Sequence, residues 1–114
     1  MNFKKYNIAI LGCGKVAHLH AKAIQNLKNA NLAAVWSRTG KTAEDFAQQY
    51  GTEAYTDIRL MTEKKKIDLA IICTPHPFHR EPAIAAATAG SHLLIEKPLA
   101  SNLDDCDMII KTCR

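Results

Sequence analysis

"ILGCGKVAHLH" spans Ile10 to His20. Within it, Gly12, Gly14 and Ala17 keep the rhythm G-x-G-x-x-G/A, directly behind an apolar run and directly ahead of a helical periodicity. A glycine motif this short arises by chance. It gains meaning only if a strand precedes it, a helix follows it and a partner residue stands further along.

The flanking residues supply the first two. Asn7 to Leu11 reads as a short buried strand, and from Lys15 onward Ala17, Ala21, Ile24 and Leu27 recur at helical spacing. Asn26, Asn29 and Asn31 weaken that helix, and "LAAVW", Leu32 to Trp36, is a second strand. "KTAEDFAQQY" is helical, with Gly51 placed as its stop. "TEAY" is a brief third strand, and Asp57 to Lys66 a helix.

"IDLAIICT", Ile67 to Thr74, is continuously apolar at its centre, as a strand covered on both faces should be. Pro75 and Pro77 break it; an alanine-rich helix follows from about His79 to Ala89 and stops at Gly90. "HLLIE", His92 to Glu96, is a fifth strand, and Ser101 with Asp104 opens a last helix through a capping-box-like pair. Alternation of this kind predicts parallel strands with right-handed helical crossovers, an α/β doubly wound sheet of the Rossmann type.

In that setting Gly12 permits the tight turn out of the first strand. Gly14, lacking a side chain, lets a pyrophosphate approach the backbone, and Ala17 allows close helix–strand packing. The helix N-terminus then offers unpaired N–H groups and partial positive charge to the phosphates. A dinucleotide site is the expectation.

Composition excludes other classes. The chain has 114 residues, enough for one domain, with 47% hydrophobic and 23% charged residues, as in ordinary globular proteins. No apolar run reaches the roughly 18 residues of a membrane span. "MNFKKYNIAI" has no long apolar stretch or cleavage site and reads as the start of a cytoplasmic protein. The net charge of +4 is modest, and only Lys64, Lys65 and Lys66 cluster, as a solvated helix end. Nucleic-acid binding, which needs a concentrated basic face, is not expected. Cys13, Cys73, Cys106 and Cys113 form no C-x-x-C pair and read as reduced, structural thiols.

The second strand should end beside the adenosine ribose, roughly 20 residues beyond the motif's third position. Counting from Ala17 reaches Ser37, in "WSRTGK". An acidic residue there would bind the ribose hydroxyls and repel a 2′-phosphate. Ser37 is neutral, Arg38 can stack on adenine or pair with phosphate, and Thr39 and Lys41 add donors. Charge-assisted hydrogen bonds contribute roughly 1.5–3 kcal/mol each, so these residues favour NADP over NAD. An ordinary polar turn accepting either cofactor is the plainer reading.

Three stretches, "GCGKVAHLH", "CTPHPFH" and "EKPLA", together resemble the N-terminal domain of the Gfo/Idh/MocA oxidoreductases, named for glucose–fructose oxidoreductase and inositol dehydrogenase. The resemblance covers nearly the whole chain and implies NAD(P)-dependent oxidation or reduction at a hydroxyl- or carbonyl-bearing carbon, often of a sugar or cyclitol. It implies that Gly12, Cys13, Gly14, Lys15 and Val16 bind the pyrophosphate, and Ser37, Arg38 and Thr39 the adenosine ribose. Cys73, Thr74 and Pro75 would line the cofactor groove. Glu96 and Lys97 would reach the nicotinamide, with Pro98 fixing the turn and Lys97 contacting substrate and supporting proton transfer. His76 stands where the family usually has Asn, and His79 falls on its usual His.

Part of this follows independently. Thr74, His76, Glu96 and Lys97 all follow strand ends, which form the ligand crevice of an open α/β sheet. A lysine in a closed cleft beside a cationic ring has its protonated form disfavoured, which suits proton transfer; a solvent-exposed turn lysine is the plain alternative. His18 and His20 lack an evident third metal ligand, and His20 reads as a partly buried helix residue. His92 begins a strand, and Trp36 packs near the adenine edge.

The chain closes on "MIIKTCR", inside an apparent helix with no stop signal. The resemblance implies that residues 1–114 are the NAD(P)-binding domain alone, short of a sixth strand, and that a second domain shapes the substrate pocket, supplies the remaining acid or base and mediates homo-oligomers. The alternative is a non-catalytic dinucleotide-sensing or regulatory module on the same fold; the retained "EKP" favours the enzyme.

Overall fold

The computed structural model describes residues 5–74, 80–95 and 110. Strand β1 (Tyr6–Leu11) leads through the glycine turn into helix α1 (Lys15–Gln25), then β2 (Ala30–Trp36), α2 (Gly40–Tyr50) and β3 (Glu53–Tyr55). Helix α3 (Ile58–Lys65) returns the chain to β4 (Leu69–Ile72), followed by α4 (Arg80–Thr88) and β5 (His92–Ile95). All pairings are parallel, in the order β3-β2-β1-β4-β5. The expected doubly wound sheet is what forms. The order reverses between β1 and β4, and such a switch point opens a crevice at the strands' carboxyl ends.

Both faces are covered, so the central strands are apolar throughout. In β1, Ile8 and Ile10 face α1 and α2, packing with Ala17, Ala21, Ile24, Phe46 and Ala47. Ala9 and Leu11 face α3 and α4, packing with Ile58, Met61, Ala83 and Ala86. Alanines recur on the helix sides, Ala17, Ala21 and Ala47 in one layer and Ala83 and Ala86 in the other, and their small side chains let α1 and α4 lie close on the sheet.

One irregularity redirects β2. Its register with β1 slips between Ile8↔Leu32 and Ala9↔Ala34, skipping Ala33. A bulge of this kind adds one residue and shifts the alternation of side chains. Leu32 packs towards α1 and α2, but Ala33 and Ala34 both belong to the opposite layer, and so does Trp36. Without the bulge, strict alternation would put Trp36 on the face of Leu32.

The expected stops are seen. Gly51 caps α2 in the left-handed region at φ 69°, and Gly90 after α4 has φ 94°. Asp57 caps α3, its Oδ1 accepting from the Leu60 amide at 3.1 Å. Lys64 and Lys66 are exposed at the end of α3, while Lys65 forms an ion pair with Glu53. Leu27 departs from expectation. Helix α1 ends at Gln25 with Asn26 as its cap, so Leu27 falls beyond the helix and is 54% exposed. The expected last helix lies outside the described residues except for Ile110, which is helical. Among the described residues no helix is long and apolar enough to cross a membrane.

Candidate functional site

The glycine turn sits where β1, β2 and β4 end together. The Gly12 amide donates to the Trp36 carbonyl at 2.8 Å, and the Cys73 amide donates to the Leu11 carbonyl at 2.7 Å. Gly12 is buried with φ 103°, a conformation L side chains rarely adopt. A Cβ built on it would lie 2.6 Å from the Thr74 amide nitrogen. Position 12 therefore demands glycine twice, for its backbone angle and for the closeness of β4.

Gly14 is the opposite case. Its φ of −83° is open to any residue, and a Cβ there would meet nothing within 4 Å. Neither packing nor backbone geometry explains a glycine at this exposed position. It is also the N-cap of α1 and brings no side chain to accept from the first-turn amides. No acidic residue occupies that turn, and Lys15 opens it. The result is a bare helix N-terminus with open space above Gly14, an arrangement that fits a diphosphate. Ala17, one turn in, is fully buried against the sheet.

Cys13 is half-buried, and its thiol donates to the Trp36 carbonyl at 3.8 Å. Burial pushes that thiol up to about 11, so it stays protonated at neutral pH and behaves as a small apolar residue. Neither Cys13 nor Cys73 is in a disulfide, and both pack against the core layer of α1 and α2. Val16 is 41% exposed in the first turn of α1.

Beside the turn, on the α3/α4 side, lies a cleft of about 710 Å³. Trp36, Ile58, Pro82 and Ala85 give it apolar walls, and Arg38, Asp57, Arg59, Thr74 and Glu81 bring polar groups to it. Arg38 is exposed, Ser37 is half-buried with its amide donating to the Tyr55 carbonyl at 3.2 Å, and Thr39 caps α2. The Thr39 hydroxyl donates to the Thr42 hydroxyl at 2.7 Å. The structure thus brings Gly12 to Val16, Ser37 to Thr39, Cys73 and Thr74 to one end of the sheet. Pro75, His76, His79, Glu96 and Lys97 lie outside the described residues.

Sequence reasoning passed over Asp57, Arg59, Glu81 and Pro82, which come to the cleft from the first turns of α3 and α4. The usable signal was topological: helices that follow β3 and β4 must begin at this same end. His18 Nδ1 bonds the Tyr50 hydroxyl at 2.5 Å, and its ring lies 4.6 Å from that of Phe46, between α1 and α2. Among the described residues no group of three or more His, Cys, Asp or Glu could hold a metal ion.

The model of the oxidoreductase family with an NAD-binding Rossmann fold, Gfo/Idh/MocA, matches residues 6–114. The chain belongs to the Gfo/Idh/MocA family. A 4-carboxy-2-hydroxymuconate-6-semialdehyde dehydrogenase of a Sphingobium species is 31% identical over 105 residues, covering 91% of this chain and 33% of the relative. A myo-inositol 2-dehydrogenase of Thermotoga maritima is 30% identical over 105 residues, covering 91% and 31%. The WlbA dehydrogenase of Chromobacterium violaceum, solved in complex with NADH and UDP-GlcNAcA, superposes with a TM-score of 0.88 at 25% identity, covering 98% and 33%. This Gfo/Idh/MocA chain spans about a third of the length of each of these relatives.

Proposed function

We propose that residues 1–114 are the cofactor-binding domain of an NAD(P)-dependent dehydrogenase or reductase that prefers NADP and acts on a sugar- or cyclitol-like molecule. The observation that carries this is Gly14: a glycine with open space where its Cβ would be, capping the bare N-terminus of α1 beside a cleft of about 710 Å³. A bound diphosphate accounts for that vacancy; packing does not.

The nicotinamide group, when bound, exchanges a hydride with a carbon carrying a hydroxyl or carbonyl. The chain's own residues orient it. The amides from Gly12 to Val16 hold the diphosphate, Ser37 to Thr39 meet the adenosine ribose, and Cys73, Thr74, Pro75, His76 and His79 border the groove. Glu96 and Lys97 reach the nicotinamide side, where Lys97 Nζ holds or releases the proton that accompanies hydride transfer. Ser37 at the end of β2 leaves a 2′-phosphate unopposed by the usual acidic neighbour, and Arg38 stands at the cleft. Asp57 also lines the cleft, and its carboxylate accepts a hydrogen bond from the Leu60 amide.

The relatives named above, a myo-inositol 2-dehydrogenase and a 4-carboxy-2-hydroxymuconate-6-semialdehyde dehydrogenase, support a hydroxyl- or carbonyl-bearing small molecule as substrate. A homo-oligomer in the cytoplasm is the setting we propose for the complete protein. The test is calorimetric titration of NADPH and NADH at one salt concentration. Tighter binding of NADPH supports the reading, equal binding removes the NADP preference, and no binding of either overturns the whole.

A further inference from the structure

Trp36 is the chain's single tryptophan. It is 8% exposed, and its indole Nε1 is buried without a hydrogen-bond partner. Native folds pair the great majority of buried donors, so an exception needs a physical reason. The position of this one suggests it. The bulge at Ala33 turns Trp36 away from α1 and α2, into the opposite layer, where it lines the cleft with Ile58, Pro82 and Ala85. Bulges next to functional sites commonly re-aim a side chain in this way.

We propose that Trp36 is a base-recognition residue: its Nε1–H donates to a ring nitrogen of a purine seated in this cleft. The inference rests on the dinucleotide reading above. An indole nitrogen can only donate, and the unprotonated ring nitrogens of adenine can only accept, so the pairing has one direction. The apolar walls suit a flat ring. Nε1 is closed to solvent without a ligand, so no water satisfies it. The pairing requires the indole to turn so that Nε1 faces the cleft that Trp36 already lines. The bulge in β2 then has a function: it delivers an aromatic donor to the nucleotide face of the sheet instead of to the α1/α2 core.

As the sole indole, Trp36 reports on the cleft through its own fluorescence. AMP is expected to quench or shift that emission, and nicotinamide mononucleotide, which has no purine, to leave it unchanged at the same concentration. Calorimetry then compares AMP binding to the parent chain and to Trp36→Phe, which keeps a planar ring and loses the donor. Thermal unfolding checks that the variant is folded. The expected loss is about fivefold in affinity, about 1 kcal/mol.

The parent chain gives a second measurement that needs no variant. Among 1-deaza-, 3-deaza- and 7-deaza-AMP, each lacking one ring nitrogen, one should bind about fivefold more weakly than AMP. If all three bind like AMP, or if Trp36→Phe binds AMP as the parent does, the Trp36 assignment falls while the dinucleotide reading stands. If neither AMP nor NADPH binds the parent chain, both fall together.

Discussion

A Cβ on Gly12 would sit 2.6 Å from the amide nitrogen of Thr74, whereas a Cβ on Gly14, two residues on, would touch nothing. One turn therefore holds a glycine that folding requires and a glycine that folding does not. Gly12→Ala places a side chain at φ 103° and against rigid backbone. Backbone strain of about 1–3 kcal/mol adds to about 1–3 kcal/mol of overpacking. Urea unfolding should show a loss within that combined range. Gly14→Val should lose less stability than Gly12→Ala, about 1 kcal/mol from a poorer N-cap, and yet lose dinucleotide binding by calorimetry. Normal binding by Gly14→Val would remove the phosphate-cradle reading.

Arg38→Ala should narrow the gap between NADPH and NADH. On the proposed NADP preference, the substitution removes one charge-assisted partner of the 2′-phosphate, worth roughly 1.5–3 kcal/mol, or about ten- to a hundredfold in NADPH affinity. NADH should bind almost as before. Parallel titrations of both cofactors read this directly, and an equal loss for the two would show that Arg38 serves adenine or the fold rather than the phosphate.

The elements were legible because their signals agree. An apolar run, a glycine turn and a helical repeat follow one another from Asn7 to Ile24, and Gly51 and Gly90 stand where α2 and α4 stop. The direction of Trp36 was not legible. "LAAVW" is apolar at every position, so no alternation tells which face each side chain takes. The bulge at Ala33 is set by pairing with β1, not by any turn residue. Asp57 shows a similar limit. The sequence marked it as a helix start, which it is, but only the spatial order β3-β2-β1 carries it to the cleft beside Arg38. Leu27 was misplaced because a helical repeat can continue in sequence past the residue where the helix is capped, here Asn26.

Cys13 should make stability fall with rising pH over a defined window. Burial holds its thiol at about 11 in the fold, against an ordinary 9.0 when unfolded. Below 9.0 both states keep the proton and this group contributes no slope. Between 9.0 and about 11 the unfolded chain releases the proton first, which favours unfolding. Denaturant midpoints across that range should drop more steeply for the parent than for Cys13→Ala, since the variant lacks the group. Iodoacetamide at neutral pH should likewise alkylate Cys13 much more slowly in the folded chain than in denaturant. Identical pH slopes for parent and variant would show that the thiol ionises as freely in the fold as outside it.

Lys97 follows "HLLIE", and β5 ends at Ile95, at the same edge of the sheet as the turn and the cleft. On the proposed function, Lys97 serves the nicotinamide end of a dinucleotide whose diphosphate is held at Gly14. In the complete protein, Lys97→Ala should lower kcat by roughly 10²–10⁴-fold, the usual contribution of a positioned acid–base group, and leave the affinity for NADPH nearly unchanged. In residues 1–114 alone the same change should leave cofactor binding as it is. Lys97→Arg separates two roles: it keeps the positive charge but cannot give up its proton at working pH. If charge alone is needed, Lys97→Arg should recover most of the rate. If proton transfer is needed, it should be as slow as Lys97→Ala. Single-turnover hydride transfer, followed by NADPH absorbance, makes the measurement free of product release. A Lys97→Ala enzyme that transfers hydride at the parental rate would reduce Lys97 to a turn residue and move the search for the proton carrier to the rest of the protein.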